Sequence, residues 1–106
     1  EEMADACVFI MEKVGFDDLK GDNTEIRNCH INIGTGKEIS IRDLSQLVVD
    51  TIGYEGEIVF DAGKPDGTMR KLIDVSKLNS LGWKHKIEID EGVKKMYEWY
   101  VGGFEF

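Results

Sequence analysis

One proline, two histidines and two cysteines in 106 residues exclude several kinds of built-in chemistry. Cys7 and Cys29 form no CxxC pair and lie among apolar neighbours, so reduced, partly buried thiols are expected rather than a redox motif or a disulfide framework. His30 and His85 have no partner at metal-ligand spacing, which leaves them structural or surface roles and argues against zinc. No GxSxG surrounds a serine and the carboxylates are scattered, so nucleophilic catalysis has no support. Positive charge is also scarce. With 13 Lys and Arg against 21 Asp and Glu, the net charge is −8, which repels polyphosphate at long range and excludes an ordinary nucleic-acid module. No apolar run approaches the ~20 residues of a membrane span. No basic-then-apolar leader opens the chain, which starts on a helix-like pattern, Glu1-Glu2-Met3-Ala4-Asp5-Ala6. A cytoplasmic location and a parent longer than this piece are therefore expected.

What remains, at 42% apolar and 32% charged residues, is the composition of a globular protein. A chain of this length affords one modest core, burying roughly 60 to 70% of the surface of its extended form. Met3, Ala6, Cys7, Ile10, Met11 and Val14 recur at helical spacing and predict a helix over 3–14, closed by Gly15. Residues 17–27 read as a surface loop. Ile31 and Ile33 alternate with polar neighbours as a short strand would, and Gly34-Thr35-Gly36 ends the run. Ser40 followed by Asp43 has the spacing of a helix cap. The helix it opens presents Ile41, Leu44, Leu47, Val48, Thr51 and Ile52 as a stripe and stops at Gly53. Glu57-Ile58-Val59-Phe60 follows as a second strand, so residues 30–60 read as a βαβ unit with parallel strands. Further helices are predicted over 76–81, capped by Ser76, and over 90–100, capped by Asp90, with Val93, Met96, Tyr97 and Tyr100 on one side. The fold class is accordingly α/β, a small mixed sheet with packed helices in a single domain.

Among possible sites, Gly34-Thr35-Gly36 lacks the third glycine of a dinucleotide-binding turn and is better read as a tight turn than as a phosphate cradle. Trp83 and Trp99 read as a core lid and as packing for the last helix, with base stacking as the less favoured role. The loop 61–71 differs in kind. Lys64, Arg70 and Lys71 concentrate positive charge on an acidic chain, within a segment shaped by Pro65 and Gly67, and Asp66 adds an acceptor. The cations would suit a diphosphate and Asp66 a set of hydroxyl groups. A charged surface turn is the competing reading of the same residues.

The runs His30-Ile31-Asn32-Ile33-Gly34-Thr35-Gly36-Lys37-Glu38-Ile39-Ser40-Ile41-Arg42 and Val59-Phe60-Asp61-Ala62-Gly63-Lys64-Pro65-Asp66-Gly67-Thr68-Met69-Arg70-Lys71-Leu72-Ile73-Asp74-Val75 closely resemble the carboxy-terminal part of GDP-L-fucose synthases, within the extended short-chain dehydrogenase/reductase superfamily. The likeness continues through Leu81-Gly82-Trp83 and Tyr97-Glu98-Trp99. It implies a parent enzyme that converts GDP-4-keto-6-deoxy-D-mannose to GDP-L-fucose, epimerising two carbons and reducing the ketone with NADPH. It also implies that NADP(H) lies on an amino-terminal Rossmann domain of the same chain, absent here, while this part grips the GDP-sugar. A homodimer is expected of the parent. On the matching positions, Asp66 and Lys71 would contact substrate, with Lys64 and Arg70 for phosphate contact or loop support. Met69 stands where related sequences often have proline, which leaves the loop backbone freer. The family's Tyr-x-x-x-Lys dyad is missing, since Tyr54, Tyr97 and Tyr100 are followed at that distance by Ile58, Val101 and Phe104. No catalytic residue and no cofactor contact is therefore assigned to this chain. Two alternatives stay open: a piece of another nucleotide-sugar epimerase or dehydratase, and a free-standing acidic binding module.

Overall fold

The computed structural model describes residues 1–103. It contains five helices among them: α1 Glu2–Lys13, α2 Phe16–Lys20, α3 Ile41–Ile52, α4 Ser76–Ser80 and α5 Ile89–Val101. The chain divides into two compact units. The first comprises Glu1–Lys37 and Leu72–Lys86, the second Glu38–Lys71 and Ile87–Phe106.

The first unit is organised around a small apolar cluster. Ala6 of α1 and Leu78 of α4 have no exposed surface, Trp83 is buried beside them, and Phe9, Ile10, Ile31 and Ile33 pack against the three. The Trp83 indole Nε1 donates to Asp5 Oδ2 at 2.9 Å, so the polar edge of a buried ring is satisfied by the helix it covers. One turn earlier, Glu2 Oε1 accepts from the Lys86 amide at 2.7 Å. The irregular segment after α1 is tied down by one ammonium group. Lys77 Nζ donates to the carbonyls of Leu19, Asn28 and His30 at 2.7, 3.1 and 3.3 Å, using all three of its donors.

Local signals fixed several helix ends. Ser40 Oγ accepts from the Asp43 amide at 3.0 Å at the start of α3, and Gly53 ends it in the left-handed region at φ 69°. The N-cap of α4 is Val75, without a side-chain cap, where Ser76 was expected; Ser76 is the first helical residue, and its amide donates to Asp74 Oδ1 at 2.9 Å. Glu88 precedes α5 without a side-chain cap, while Asp90 lies in its first turn and favours the positive helix end. The first helix stops at Lys13 with Val14 extended, and Gly15 opens α2 in a stretch expected to be loop.

The small mixed sheet is not present: among the described residues there is no strand. Residues 30–33 and 57–60 fall in different units, and neither segment is a strand. Alternation marks a face; a strand also needs a neighbouring edge to receive its amides and carbonyls. Ile31 and Ile33 gain burial from the Leu78 cluster instead, and Asn32 Nδ2 donates to the Asp74 carbonyl at 3.1 Å, a side-chain tie in place of a ladder. The helix stripes are also only partly covered. Cys7, expected to be partly buried, is exposed on α1 together with Met3 and Met11, because Ala6, Phe9 and Ile10 take the inner face. In the second unit α3 packs on α5, yet no side chain of either helix is buried.

The total surface states the same fact quantitatively. Two separate globules sharing this mass would expose about 7,200 Å² by the usual scaling of surface with size. The chain exposes 9002 Å², and its uncovered apolar side chains include Ile41, Val48, Ile52, Met96 and Tyr100. Such faces seek cover. The 106-residue chain alone should therefore self-associate or melt at low denaturant; a stable monomer in sedimentation velocity would count against uncovered faces. Leu78→Ala should cost the first unit about 2–5 kcal/mol in urea titrations, as expected for a large core truncation. The Ser76 amide and hydroxyl hold the Asp74 carboxyl below its ordinary value of 3.8. A depressed carboxylate contributes stability that is full above that value and is lost as pH falls through the lowered one. Asp74→Asn should accordingly flatten the acid limb of a stability-versus-pH curve.

Candidate functional site

The cationic loop belongs to the second unit and follows residues 57–60. Asp61 Oδ1 accepts from the Gly63 amide at 2.9 Å, and the Lys64 amide donates to the Asp61 carbonyl at 3.2 Å. An aspartate bonding two residues ahead folds the chain back locally, and Pro65 then restricts the next backbone angle. Beyond this turn the segment stands in solvent, with Met69 93% exposed.

The far end of the loop is tied by charge. Arg70 Nε donates to Glu38 Oε2 at 3.1 Å, and Arg70 Nη2 donates to Glu38 Oε1 in the same fork. Bonding and charge from Glu38 raise the guanidinium's pKa above its ordinary value. Glu38 lies two residues before the Ser40 cap, so the loop is fastened to the start of α3. The four residues named from sequence thus separate into two kinds. Arg70 is engaged, whereas Lys64, Asp66 and Lys71 are exposed and have no side-chain partner among the described residues. Glu38 was not singled out from the sequence, because its partner stands 32 positions away and no helical spacing links them.

A shallow cavity of about 320 Å³ lies on the same unit, lined by Arg42, Gln46, Val49, Gly56, Ile58 and Phe60. The Arg42 guanidinium sits 5.1 Å above the Phe60 ring, a cation–π arrangement that shields part of an exposed aromatic. None of the four loop candidates lines this cavity.

The Gly34-Thr35-Gly36 turn does not offer an open phosphate cradle. Gly34 and Gly36 are packed under side chains instead of facing an open phosphate site: a Cβ on Gly34 would lie 2.8 Å from Ile73 Cδ1, and one on Gly36 would lie 3.1 Å from Val75 Cγ2. The turn is structural, and Gly36, at φ 73°, takes a conformation that side chains disfavour. No group of His, Cys, Asp or Glu among the described residues could hold a metal ion, and no helix among them is long and apolar enough to cross a membrane. Trp83 serves the core, and Trp99 is about half exposed on α5.

Comparison with known proteins agrees with the resemblance read from the sequence. No family model matches the chain. It is 43% identical over 95% of its length to the GDP-L-fucose synthase of Escherichia coli K12, covering 31% of that protein, and 43% identical over 95% of its length to GDP-L-fucose synthase 1 of Arabidopsis thaliana, covering 28%. Among solved structures, a GDP-6-OMe-4-keto-L-xylo-heptose reductase from C. jejuni superposes with a TM-score of 0.88 at 46% identity over 95% of this chain and 29% of that one. A GDP-mannoheptose C4 reductase from Campylobacter jejuni, solved with NADP bound, gives 0.78 at 44% identity over 94% of this chain and 29% of that one. These neighbours are extended short-chain dehydrogenase/reductases, and the chain matches the carboxy-terminal part of its relatives, spanning about three-tenths of their length.

The packing of the glycine turn makes a prediction of its own. Gly36→Ala should lower the first unit's stability by about 1 kcal/mol, from the left-handed backbone and the Val75 contact, and should leave the exchange rates of amides 61–71 unchanged. Hydrogen exchange resolved by mass spectrometry reads both effects.

Proposed function

We propose that this chain, which shares ancestry over nearly all of its length with GDP-L-fucose synthases and GDP-heptose reductases, is the sugar-nucleotide-binding part of an NADP-dependent GDP-L-fucose synthase. The parent reaction is then the conversion of GDP-4-keto-6-deoxy-D-mannose to GDP-L-fucose by 3,5-epimerisation and 4-keto reduction. The observation that carries this reading is the 43% identity sustained across 95% of the chain.

The free charges of the loop support it. Lys64 and Lys71 offer ammonium groups to the diphosphate, each charge-assisted hydrogen bond contributing roughly 1.5–3 kcal/mol once the bound sugar nucleotide excludes water. Asp66 accepts from sugar hydroxyls. The chemistry belongs to the Rossmann part of the same protein, where NADP(H) supplies the hydride. This division agrees with the packed glycines at 34 and 36 and with tyrosines that have no lysine one turn on. The uncovered faces of α1, α3 and α5 are where the remaining polypeptide, and a second subunit of a parent homodimer, would find apolar cover. A cytoplasmic enzyme acting on soluble GDP-sugars fits the composition.

A second reading, reduction of a GDP-keto-heptose, is favoured by the heptose reductase that superposes at 46% identity. Both readings share the GDP moiety and differ at the sugar. The full-length protein, offered GDP-4-keto-6-deoxy-D-mannose, a GDP-4-keto-heptose and UDP-4-keto sugars, should oxidise NADPH with the first. Turnover of the heptose alone establishes the second reading, and turnover of UDP-sugars alone removes both. In the same protein, Asp66→Ala and Lys71→Ala should each lower kcat/KM for the GDP-sugar by about 10- to 100-fold, the equivalent of one lost charged hydrogen bond, with NADPH affinity unchanged. Wild-type kcat/KM in both variants would remove the loop from the substrate site.

A further inference from the structure

The three cations of the loop are not equivalent. Two donors of the Arg70 guanidinium, Nε and Nη2, are spent on the two carboxylate oxygens of Glu38, whereas the ammonium groups of Lys64 and Lys71 have no partner among the described residues. A guanidinium gripped in a fork by a carboxylate has its charge neutralised at close range, and the planar match of the two groups fixes their orientation. The remaining N–H donors of Arg70 could still reach a phosphate, but the Glu38 carboxylate held beside them offsets the attraction that the guanidinium would exert on an incoming anion. The neighbouring Lys71 meets no such obstacle.

We infer that Glu38 is a positioning residue for GDP-sugar binding, acting through Arg70 as a staple that fixes the end of the loop and thereby places Lys71 and Asp66 on the substrate; this rests on the proposed function. Both ends of the segment are then anchored by polar contacts. The Asp61 turn, with its 2.9 Å bond to the Gly63 amide, sets the beginning, and the Glu38–Arg70 fork sets the end. Between them no apolar burial restrains the chain, since residues 61–71 are all exposed. The pair itself is solvent-facing, with side-chain exposures of 72% for Arg70 and 43% for Glu38, so it adds little to global stability. Its effect falls on the freedom of the loop. A restrained loop forfeits less conformational entropy when substrate orders it, which lowers KM without touching the chemical step.

The test uses steady-state kinetics of the full-length protein with GDP-4-keto-6-deoxy-D-mannose and NADPH, together with hydrogen exchange of amides 61–71. Glu38→Ala and Arg70→Ala should raise KM for the sugar nucleotide by the same factor, about five-fold as one surface ion pair allows, with kcat and the NADPH KM unchanged. The double alanine variant should be no worse than either single one, because both remove the same interaction. Exchanging the partners, Glu38→Arg with Arg70→Glu, should return KM to within about two-fold of wild type and restore slow exchange of the loop amides. An Arg70→Ala defect much larger than that of Glu38→Ala, unrepaired by the exchange of partners, would show that the guanidinium touches phosphate directly and overturn the inference. A wild-type KM in Glu38→Ala would overturn it equally. If the wild-type protein turns over no GDP-keto sugar, the proposed function is wrong; loop exchange that is unchanged in Glu38→Ala would then show separately that no staple exists.

Discussion

Ala6, Val75, Leu78 and Trp83 are the buried side chains among the described residues, and every one belongs to the first unit. The second unit, which carries the cationic loop, holds α3 against α5 with no buried side chain of its own. Burial at roughly 25 cal/mol per Å² of apolar surface is the dominant favourable term in folding. A unit whose apolar side chains are only half-buried, as Leu44, Leu47, Val49 and Val93 are, leans more on local hydrogen bonds and charge pairs. The Ser40 cap, the left-handed Gly53, the Asp61 turn and the Glu38–Arg70 fork are those devices here.

Charge works on two length scales in this chain. The net charge of −8 repels an anion at distances beyond a Debye length of about 8 Å only weakly at physiological salt, so contact-range groups decide binding. At contact range the loop offers two unpaired ammonium groups and one carboxylate, and it keeps the third cation neutralised by Glu38. Full neutralisation of the lysines by internal acids would have cancelled the attraction. An unpaired Arg70 would have left the segment without its tie to the start of α3. The chain therefore divides its cations between holding the loop and presenting it.

What could be read from the sequence follows the range of the interaction that decides it. Caps and stops depend on residues within four positions, and Ser40, Asp43 and Gly53 were legible for that reason. The bond from the Ser76 amide to Asp74 Oδ1 is as local, but the serine itself drew the cap assignment. Strand pairing depends on a partner elsewhere in the chain, so the alternation of Ile31 with Ile33 and the apolar run 58–60 indicated a sheet that the described residues do not form. Phase on α1 failed for a related reason. Two apolar stripes share that helix, and only packing against Leu78 and Trp83 selects Phe9 over Cys7. The Lys77 tie to three carbonyls and the Glu38–Arg70 fork span long sequence separations and left no periodic mark.

The same reasoning explains why the loop carried the strongest functional signal. Core positions tolerate many apolar residues of suitable size, whereas a segment that must present charges in solvent and stay ordered has few solutions. It needs turn-forming residues at one end, a charge pair at the other, and ligand groups between that are not consumed by either. Residues 61–71 meet all three requirements without a buried side chain. Order achieved in this way is inexpensive to release, because each polar tie at an exposed site is worth about 1 kcal/mol or less. A loop so held can be rigid enough to lower the entropic cost of binding a diphosphate and loose enough to let the product leave, which a loop buried in a core could not do.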